Sequence, residues 1–441
     1  MDLTFWLYLL VLALGFVAIA IALRSPALGI ALWVLVYPLV ANLAVPEGLE
    51  KIPPTRVVSL ILCLACLPLL GSKDSMAKVR APVALYAAFL VSAFLSSLIS
   101  PLGMQATQRV LTYGEPIAWL LLGVAAARSR LDDRGTTLLL AATALSFIGV
   151  LLVSVPELLT QSNPLLATGI ARTTGDYMED RRLGFTGRLV GTLGQPVYAG
   201  MYGVIVIGAV LALLADGRVK AAAQWALALL GVAAIGFVVL TGTRGAIAGL
   251  VVLAFLGISA AWRSSRARIF GTALVLLISV AAMSPVIRTF LDESIRVDEP
   301  SSSAANVVGR LALTKRMLDV FASNPVFGVG PGYFQKVVDE PGQIDTEGLG
   351  GIENQYATLL AENGLLGCAL FVAFLGVLAM RGLSQRGHDP TSRSTLDRWS
   401  GAAVGAIGIM GISAFVLTTI PMFHALVLGG TCLAGTGGGK R

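Results

Sequence analysis

The chain has 441 residues, of which 56% are hydrophobic and 13% are charged, and its mean hydropathy is +0.81. Soluble globular proteins carry about 25% charged residues, so this composition excludes that class. The net charge of +7 does not indicate nucleic-acid binding, because the basic residues are scattered through short loops, as topology determinants are. The sequence therefore predicts an all-α, polytopic transmembrane protein.

Apolar stretches of about 20 residues, the length that crosses a hydrocarbon core of about 30 Å, recur along the whole chain. The predicted spans are 3–23, 27–45, 56–71, 82–100, 110–127, 136–156, 192–215, 221–240, 245–262, 269–287, 357–380, 399–419 and 421–437. Residues 3–23 lack the basic segment and cleavage site of a signal peptide, so we count them as a span. The last stretch is short and begins at Pro421, so about 12 or 13 spans are expected. A thirteenth span would return Lys440 and Arg441 to the arginine-rich side, which favours 13.

The basic residues of the loops predict the orientation. One alternating set of loops is rich in arginine, whereas the short loops of the other set contain only Lys51, Arg56, Arg109 and Arg244. The positive-inside rule places the arginine-rich set in the cytoplasm and the N-terminus outside. The expected organisation is N-terminal membrane helices at 1–156, a first outer-face loop at 157–191, membrane helices with the Arg244 turn at 192–287, a large, partly helical extracytoplasmic loop at 288–356 and C-terminal membrane helices at 357–441.

Four arginines on the predicted outer face are candidates for binding an anionic group. Arg188 lies in "GRLVGTLGQPVYAG" and Arg244 in the short turn "TGTRGAIAG". Arg310 and Arg316 lie on a predicted amphipathic helix. Its expected apolar anchors are Leu311, Met317, Leu318 and Phe321. A guanidinium group binds phosphoryl oxygens bidentately and stays charged, so several at one interface suit a lipid-linked diphosphate. The alternative for any single arginine is a snorkelling side chain.

A polar cluster, "GGIENQYATLLAENGLLG" at 350–367, lies where a predicted span begins. If Glu353 to Leu366 form one helix, Glu353 and Glu362 are about 13 Å apart and on opposite faces, so they cannot act as an acid–base pair on one bond. Glu353 lies near the helix N-terminus, where the dipole favours a carboxylate. Glu362 lies deeper, where a charge is costly unless it is paired or hydrated. We expect Glu353 to face a substrate and Glu362 to tie helices together.

The other reactive residue types do not form a recognisable site. Cys63 and Cys66 form a CxxC inside a predicted span, which is typical of buried hydrophobic residues rather than of a redox or zinc pair. His388 and His424 have no second ligand at metal-binding spacing, so no metal site and no cofactor are expected.

Three segments, in this order, resemble one known family. They are "TGTRGAIAGLVV" (241–252), "GRLALTKRMLDVFASNPVFGVGPGYF" (309–334) and "ENQYATLLAENGLLG" (353–367). The series resembles the O-antigen ligase / Wzy-type polymerase superfamily of bacterial membrane proteins over about 180–380. The resemblance implies a glycosyltransferase that uses an undecaprenyl-diphosphate-linked glycan on the outer face of the inner membrane, without metal, nucleotide or nucleic acid.

The resemblance also implies roles for particular residues. Arg188, Arg244, Arg310 and Arg316 become candidates for diphosphate binding, with Arg188 and Arg244 the strongest, because arginines stabilise the charge that develops on the leaving group. Glu353 becomes the candidate base that activates the acceptor hydroxyl in an inverting transfer. Asn354 and Tyr356 become candidates for lining the acceptor site. A chain-length regulator is an expected partner of a polymerase of this kind, and the lipid-linked glycan serves such an enzyme as donor and as acceptor.

One departure from the family pattern bears on the acceptor. In ligases that attach O-antigen to lipid A-core, the motif reads His-Asn/Ser/Gln-x9-Gly-x-x-Gly, whereas here Glu353 and Asn354 precede nine residues, Gly364 and Gly367. A glutamate has an ordinary pKa of about 4.3 and is a weaker base than imidazole unless burial raises its pKa.

This departure favours a polymerase of O-antigen, capsule or exopolysaccharide repeat units, with a ligase as the alternative. A secondary transporter of an anionic solute is a further alternative. It is disfavoured because the chain has no visible repeat and its polar residues gather at the outer face instead of the bilayer midplane.

Overall fold

The fold of the chain, given by a computed structural model, is described for residues 3–46, 53–70, 73–129, 134–171, 188–215, 219–261, 302–334, 354–384, 392–412 and 417–433. It is 83% helical and contains no strand within these ranges. Fifteen α-helices are defined there: α1 (Leu3–Arg24), α2 (Pro26–Val40), α3 (Pro54–Cys66), α4 (Lys73–Leu98), α5 (Met104–Tyr113), α6 (Glu115–Arg128), α7 (Arg134–Thr160), α8 (Pro164–Ala167), α9 (Pro196–Leu214), α10 (Ala221–Leu240), α11 (Arg244–Ala261), α12 (Ser302–Ser323), α13 (Gln355–Leu383), α14 (Ser392–Met410) and α15 (Ile420–Leu433).

The described helices confirm the all-α, polytopic prediction. Among the residues described, seven segments are long and apolar enough to cross a membrane: Leu3–Arg24, Val79–Leu98, Met104–Arg128, Arg134–Thr160, Pro196–Leu214, Ala221–Leu240 and Gln355–Leu383. Four shorter apolar helical segments lie at Pro26–Val40, Pro54–Leu70, Arg244–Leu256 and Ile420–Leu433. The predicted span at 269–287 falls outside the described residues, so the choice between 12 and 13 spans stays a prediction.

Several predicted boundaries differ from the observed helices, among them those of the spans predicted at 110–127 and 399–419. The span predicted at 110–127 begins at Met104 and consists of α5 and α6, which meet at Gly114. Pro116, near the start of α6, lacks a backbone N–H, so a new helix starts there more readily than the old one continues. The span predicted at 399–419 is α14, which begins earlier, at Ser392, and ends at Met410.

Close backbone contacts hold the centre of the bundle together. A Cβ atom added to Gly123 on α6 would overlap the Val427 carbonyl oxygen on α15, and one added to Gly430 on α15 would overlap the Leu120 carbonyl oxygen. Trp119 stacks on Phe423 across the same interface, with ring centroids 5.4 Å apart. In a bilayer, helices associate by this kind of close packing through small residues, since lipid is as apolar as the side chains themselves.

Several helices start or finish at one end of this bundle, which we call the site end because α11 and α13 begin there. Glu115, the first residue of α6, forms an ion pair with Arg56 near the start of α3, at 3.0 Å. The end of α14 contacts both site-end helices. A Cβ added to Gly249, in the second turn of α11, would overlap the Met410 side chain. The Gln355 amide at the start of α13 donates to the Gly411 carbonyl at 2.9 Å.

We predict that Gly123→Ala lowers the stability of the protein, because the added methyl group forces α6 away from α15. The expected cost is about 1–3 kcal/mol, the usual effect of overpacking. The measurement is the thermal unfolding midpoint of the purified protein in detergent. The matched control is Gly236→Ala on α10, where an added Cβ would meet nothing within 4 Å. Equal midpoints for the two variants would contradict the packing role.

Candidate functional site

The turn between α10 and α11 presents Arg244 at the site end. Gly242 has φ 61°, a conformation that glycine adopts at little cost. The hydroxyl of Thr241 donates to the Val238 carbonyl at 2.7 Å, and that of Thr243 donates to the Pro196 carbonyl at 3.0 Å. Arg244 is the first residue of α11 and its side chain is exposed. The position therefore combines a guanidinium group with the positive end of a helix dipole.

Arg188 is attached to the same turn. Its Nε donates to the Thr241 carbonyl at 3.0 Å, and the amide of Leu189 donates to the Leu240 carbonyl at 3.2 Å. A Cβ added to Gly242 would lie 3.5 Å from Arg188 Nε, so the guanidinium group lies across the glycine. The two arginines that the sequence ranked highest thus meet at one turn, although 56 positions separate them in the chain (244 − 188).

A buried carboxylate that sequence reasoning missed fixes the segment after Arg188. Glu157, in the last turn of α7, is 1% exposed. Its carboxylate accepts hydrogen bonds from the backbone amides of Val190 (3.0 Å) and Gly191 (2.8 Å) and from Asn163 Nδ2 (2.8 Å). The prediction treated Glu157 as the first residue of a polar loop. The signal available was a lone acid that ends an apolar run shortly before Asn163.

The start of α13 explains the asparagine of the "EN" motif. Asn354 is the N-cap residue, and its Oδ1 accepts from the amides of Tyr356 and Ala357 at 3.1 Å each. The Thr358 hydroxyl donates to the Asn354 carbonyl at 2.8 Å. Glu353, the candidate base, lies outside the described residues and directly precedes this cap. The role of Asn354 that these contacts define is helix capping.

Tyr356, predicted to line the acceptor site, contacts α14. Its hydroxyl donates to the Gly408 carbonyl, and a Cβ added to Gly411 would lie 3.4 Å from the ring. The side chain is half-buried between α13 and α14. Together with the bond from the Gln355 amide to Gly411, this contact fixes the first turn of α13 on the end of α14.

The helix that follows Asn354 does not run unbroken to Leu366, as the separation of the two glutamates had assumed. The helix begins at Gln355 and is interrupted at Gly364, whose φ of 68° and ψ of −174° are not helical. A residue with a side chain disfavours this conformation, and a Cβ at Gly364 would also overlap the Val326 carbonyl. The break lies beyond Glu362, and Glu353 is outside the described residues, so the inferred separation of the two glutamates stays a prediction.

The segment 325–330 fills the interruption with its own backbone. The amides of Val329 and Gly330 donate to the carbonyls of Ala361 (3.0 Å) and Glu362 (2.9 Å). In the other direction, the amide of Leu365 donates to the Pro325 carbonyl at 2.8 Å. The amide of Leu366 donates to the Val326 carbonyl at 3.4 Å. An unsatisfied backbone group costs several kcal/mol in hydrocarbon, so these four bonds are what permit a break inside an apolar helix.

Glu362 lies at this junction and ties elements together, as the sequence analysis predicted. Its side chain is 1% exposed. Oε1 accepts from the Phe334 amide at 3.1 Å, and Oε2 accepts from the Tyr113 hydroxyl at 3.3 Å. The carboxylate thereby connects α13 to α5 and to the loop that follows α12.

The amphipathic helix predicted around Arg310 and Arg316 is α12, and its buried stripe differs from the predicted one. Leu313 and Met317 are buried against Phe334, Ala357 and Ala361. Leu318, predicted to be an anchor, is 47% exposed, because successive residues of a helix are rotated by about 100° and Met317 already faces α13. The Arg316 side chain is exposed. Position 310 lies within α12, but its side chain is outside the described set, as is that of residue 311.

Residues 229–372 match the family model described as O-antigen ligase. The match confirms the family resemblance drawn from the three motifs, and it includes Arg244, α12, the N-cap at Asn354 and the break at Gly364. It supports a membrane enzyme that processes glycans. No curated protein matches the chain.

We predict that Asn354→Ala frays the first turn of α13, because the amides of Tyr356 and Ala357 lose their acceptor. Loss of an N-cap costs about 1 kcal/mol. Hydrogen exchange at these two amides should accelerate, whereas Asn354→Asp, which keeps a capping oxygen, should retain wild-type protection. Loss of protection in the aspartate variant would show that the capping oxygen is not what orders this turn.

Proposed function

Residues 229–372 belong to the O-antigen ligase / Wzy superfamily, and on that premise we propose that the chain is a glycan polymerase. It joins polyprenyl-diphosphate-linked oligosaccharide repeat units of an O-antigen, capsule or exopolysaccharide. The reaction takes place on the outer face of the bacterial inner membrane and needs no metal and no nucleotide. The lipid-linked glycan is the donor, and a second lipid-linked chain is the acceptor.

One observation carries the proposal: the end of α14 supports both halves of the candidate site. Met410 packs on Gly249 of α11, the helix that Arg244 begins. The next residue, Gly411, accepts a hydrogen bond from Gln355, which lies two positions after Glu353. The helix that Arg244 begins and the helix start that follows Glu353 in the sequence therefore both contact residues 410–411. A fixed separation between leaving group and acceptor is what a transfer reaction requires.

The arginines act on the leaving group. As the bond between the anomeric carbon and the diphosphate oxygen breaks, negative charge grows on the diphosphate. Guanidinium groups that are already in place stabilise this charge without reorganisation during the reaction. Arg188 is preorganised by its hydrogen bond to the Thr241 carbonyl, and Arg244 by its position at the start of α11. In the proposal, Arg316 and Arg310 on α12 add contacts to the same diphosphate.

The base acts on the acceptor. The Glu353 carboxylate removes the proton of an acceptor hydroxyl as that oxygen bonds to the anomeric carbon from the side opposite the diphosphate, so the configuration inverts. The diphosphate lipid leaves with the bonding electron pair. The capped first turn of α13 holds the backbone next to Glu353. Tyr356 shapes the edge of this position through the contact that fixes α13 on α14, and Asn354 does so by capping the first turn of α13.

Glutamate at the base position separates polymerase from ligase in this proposal. The family's lipid A-core ligases carry histidine there, in the motif whose spacing this chain shares. A lipid-linked repeat unit as acceptor makes the enzyme a polymerase, which works beside a chain-length regulator. Transfer to lipid A-core or to another acceptor remains the second candidate, and assays with the two acceptors separate them.

If Glu353 is the base, Glu353→Gln abolishes glycan extension, because the amide cannot take up the hydroxyl proton. The measurement is the length distribution of polymer made from purified lipid-linked repeat units in proteoliposomes. Asp319→Asn, which changes an exposed carboxylate on α12, is the control and should extend chains normally. Near-normal chain length with Glu353→Gln would overturn the assignment.

If Arg244 grips the diphosphate, Arg244→Lys retains the charge but loses the bidentate fork. We expect the transfer rate to fall by about 10²-fold, in the range found when a donor to a developing anion is removed. Arg24→Lys, at the exposed end of α1, is the matched control and should leave the rate unchanged. A fully active Arg244→Lys enzyme would reduce the role of Arg244 to simple charge.

A further inference from the structure

Glu362 is a buried carboxylate that the proposed chemistry does not use. Its two side-chain oxygens accept hydrogen bonds from different elements, Oε1 from the Phe334 amide and Oε2 from the Tyr113 hydroxyl. Its backbone carbonyl accepts two more, from the Gly330 amide at 2.9 Å and from the Ser96 hydroxyl at 2.6 Å. One residue of α13 thus contacts α4, α5 and the loop that follows α12.

That loop, residues 325–334, follows the C-terminal end of α12 and connects the helix to α13 through hydrogen bonds. The helix ends at Ser323, and two residues later Pro325 accepts the hydrogen bond from Leu365 beyond the break. At the far end of the loop, Phe334 is fully buried and packs with Leu313 and Met317 of α12 itself. The loop therefore folds back beneath α12, and its position sets where α12 lies on α13.

The loop approaches the break so closely that it has little freedom to slide. A Cβ at Gly328 would overlap the carbonyl carbon of Glu362, and one at Gly330 would overlap the Ser100 side chain. Both glycines have positive φ values, 71° and 101°. The missing Cβ of Gly328 lets the backbone of the loop touch the backbone of α13, and that of Gly330 makes room for Ser100.

We infer that Glu362 is a positioning residue. Its carboxylate and its carbonyl hold the loop 325–334 on the break at Gly364 and thereby fix α12, which carries Arg310 and Arg316, on the first turns of α13. The contribution to transfer rests on the proposed function, because it requires α12 to present arginines to the diphosphate. The mechanical role stands on the described contacts alone.

We call the attachment of the loop 325–334 to α13 through Glu362 the clamp. Replacing Glu362 by glutamine, which has the same shape but no charge, tests whether the clamp needs the carboxylate charge or only its hydrogen bonds. In Glu362→Gln the amide oxygen still accepts from the Phe334 amide, and the amide nitrogen donates to the Tyr113 oxygen, so the loop stays attached. In Glu362→Ala both bonds are lost, and the Phe334 amide is left buried without that acceptor. The alanine variant should therefore loosen the Phe334 end of the loop, where α12 packs, while the backbone bonds of residues 325–330 remain, and the glutamine variant should restore the attachment.

The experiment measures the distance between spin labels at Lys315→Cys on α12 and Val372→Cys on α13, both exposed positions. It uses the full-length protein in nanodiscs. The four native cysteines are buried, and replacing them with serine or alanine confines labelling to the two introduced sites. We expect a narrow distance distribution for the parent and for Glu362→Gln, and a distribution at least twice as broad for Glu362→Ala. Leu365→Ala is the control, because this exposed side chain lies beside the break and only its backbone amide joins the loop.

A second variant keeps the test decisive if Glu362→Ala does not fold. Gly328→Ala pushes the loop away from α13 without changing any residue of that helix, and it should broaden the same distribution. A folded Glu362→Ala protein as narrow as the parent overturns the inference, and so does a narrow Gly328→Ala protein.

The transfer assay separates this inference from the proposed function. With lipid-linked repeat units, Glu362→Ala should raise KM for the donor about tenfold and change kcat less, and Glu362→Gln should restore KM to within about threefold of the parent. If the parent enzyme transfers no glycan while the spin-label distances behave as expected, the proposed function fails and the clamp stands. If transfer is normal and the distances do not respond to Glu362→Ala, the clamp fails and the proposed function stands.

Discussion

The backbone of a membrane-embedded helix has to satisfy every N–H and C=O group without water, and the break at Gly364 meets this constraint in an unusual way. Two carbonyls before the break and two amides after it lose their helical partners, and the segment 325–330 supplies a donor or acceptor to each. An irregular segment of apolar residues and glycines is thereby held on an apolar helix at a fixed register. The loop is held on α13 by these four hydrogen bonds and by the bond from the Phe334 amide to the Glu362 carboxylate, and together they set where α12 lies.

The rest of the site end is organised by backbone contacts of the same kind. The Thr241 carbonyl holds Arg188, the amides of Val190 and Gly191 bind the Glu157 carboxylate, and the Gly411 carbonyl receives the first amide of α13. Side chains placed by such contacts would lose little further conformational entropy on binding the diphosphate that we propose as ligand. This favours binding by preorganisation over binding by adjustment.

Gly364 and Gly367, the two glycines of the family motif, are each required for a different physical reason in this fold. Gly364 permits the positive φ of the break, and its missing Cβ makes room for the carbonyl of Val326. A Cβ at Gly367, one turn further on, would lie 2.6 Å from the Cβ of Asn363 and 3.4 Å from the hydroxyl of Ser92. The first glycine of Gly-x-x-Gly is therefore needed for its backbone conformation, and the second for close packing. The sequence motif reveals neither reason, since it records residue types without their φ values or neighbours.

The sequence by itself determined the membrane class, the helical fold, most helix positions, and the arginines and polar cluster that belong to the candidate site. These follow from local properties: apolar length against bilayer thickness, charge in loops, and residue types within short motifs. Only the tertiary structure decided that Arg188 joins the Arg244 turn, that Glu157 anchors the intervening segment and that α13 breaks at Gly364. Each of these depends on hydrogen bonds between positions far apart in the chain. The Glu362 carboxylate has two hydrogen-bond donors, the Phe334 amide 28 residues away and the Tyr113 hydroxyl 249 residues away. No local sequence pattern encodes such pairings.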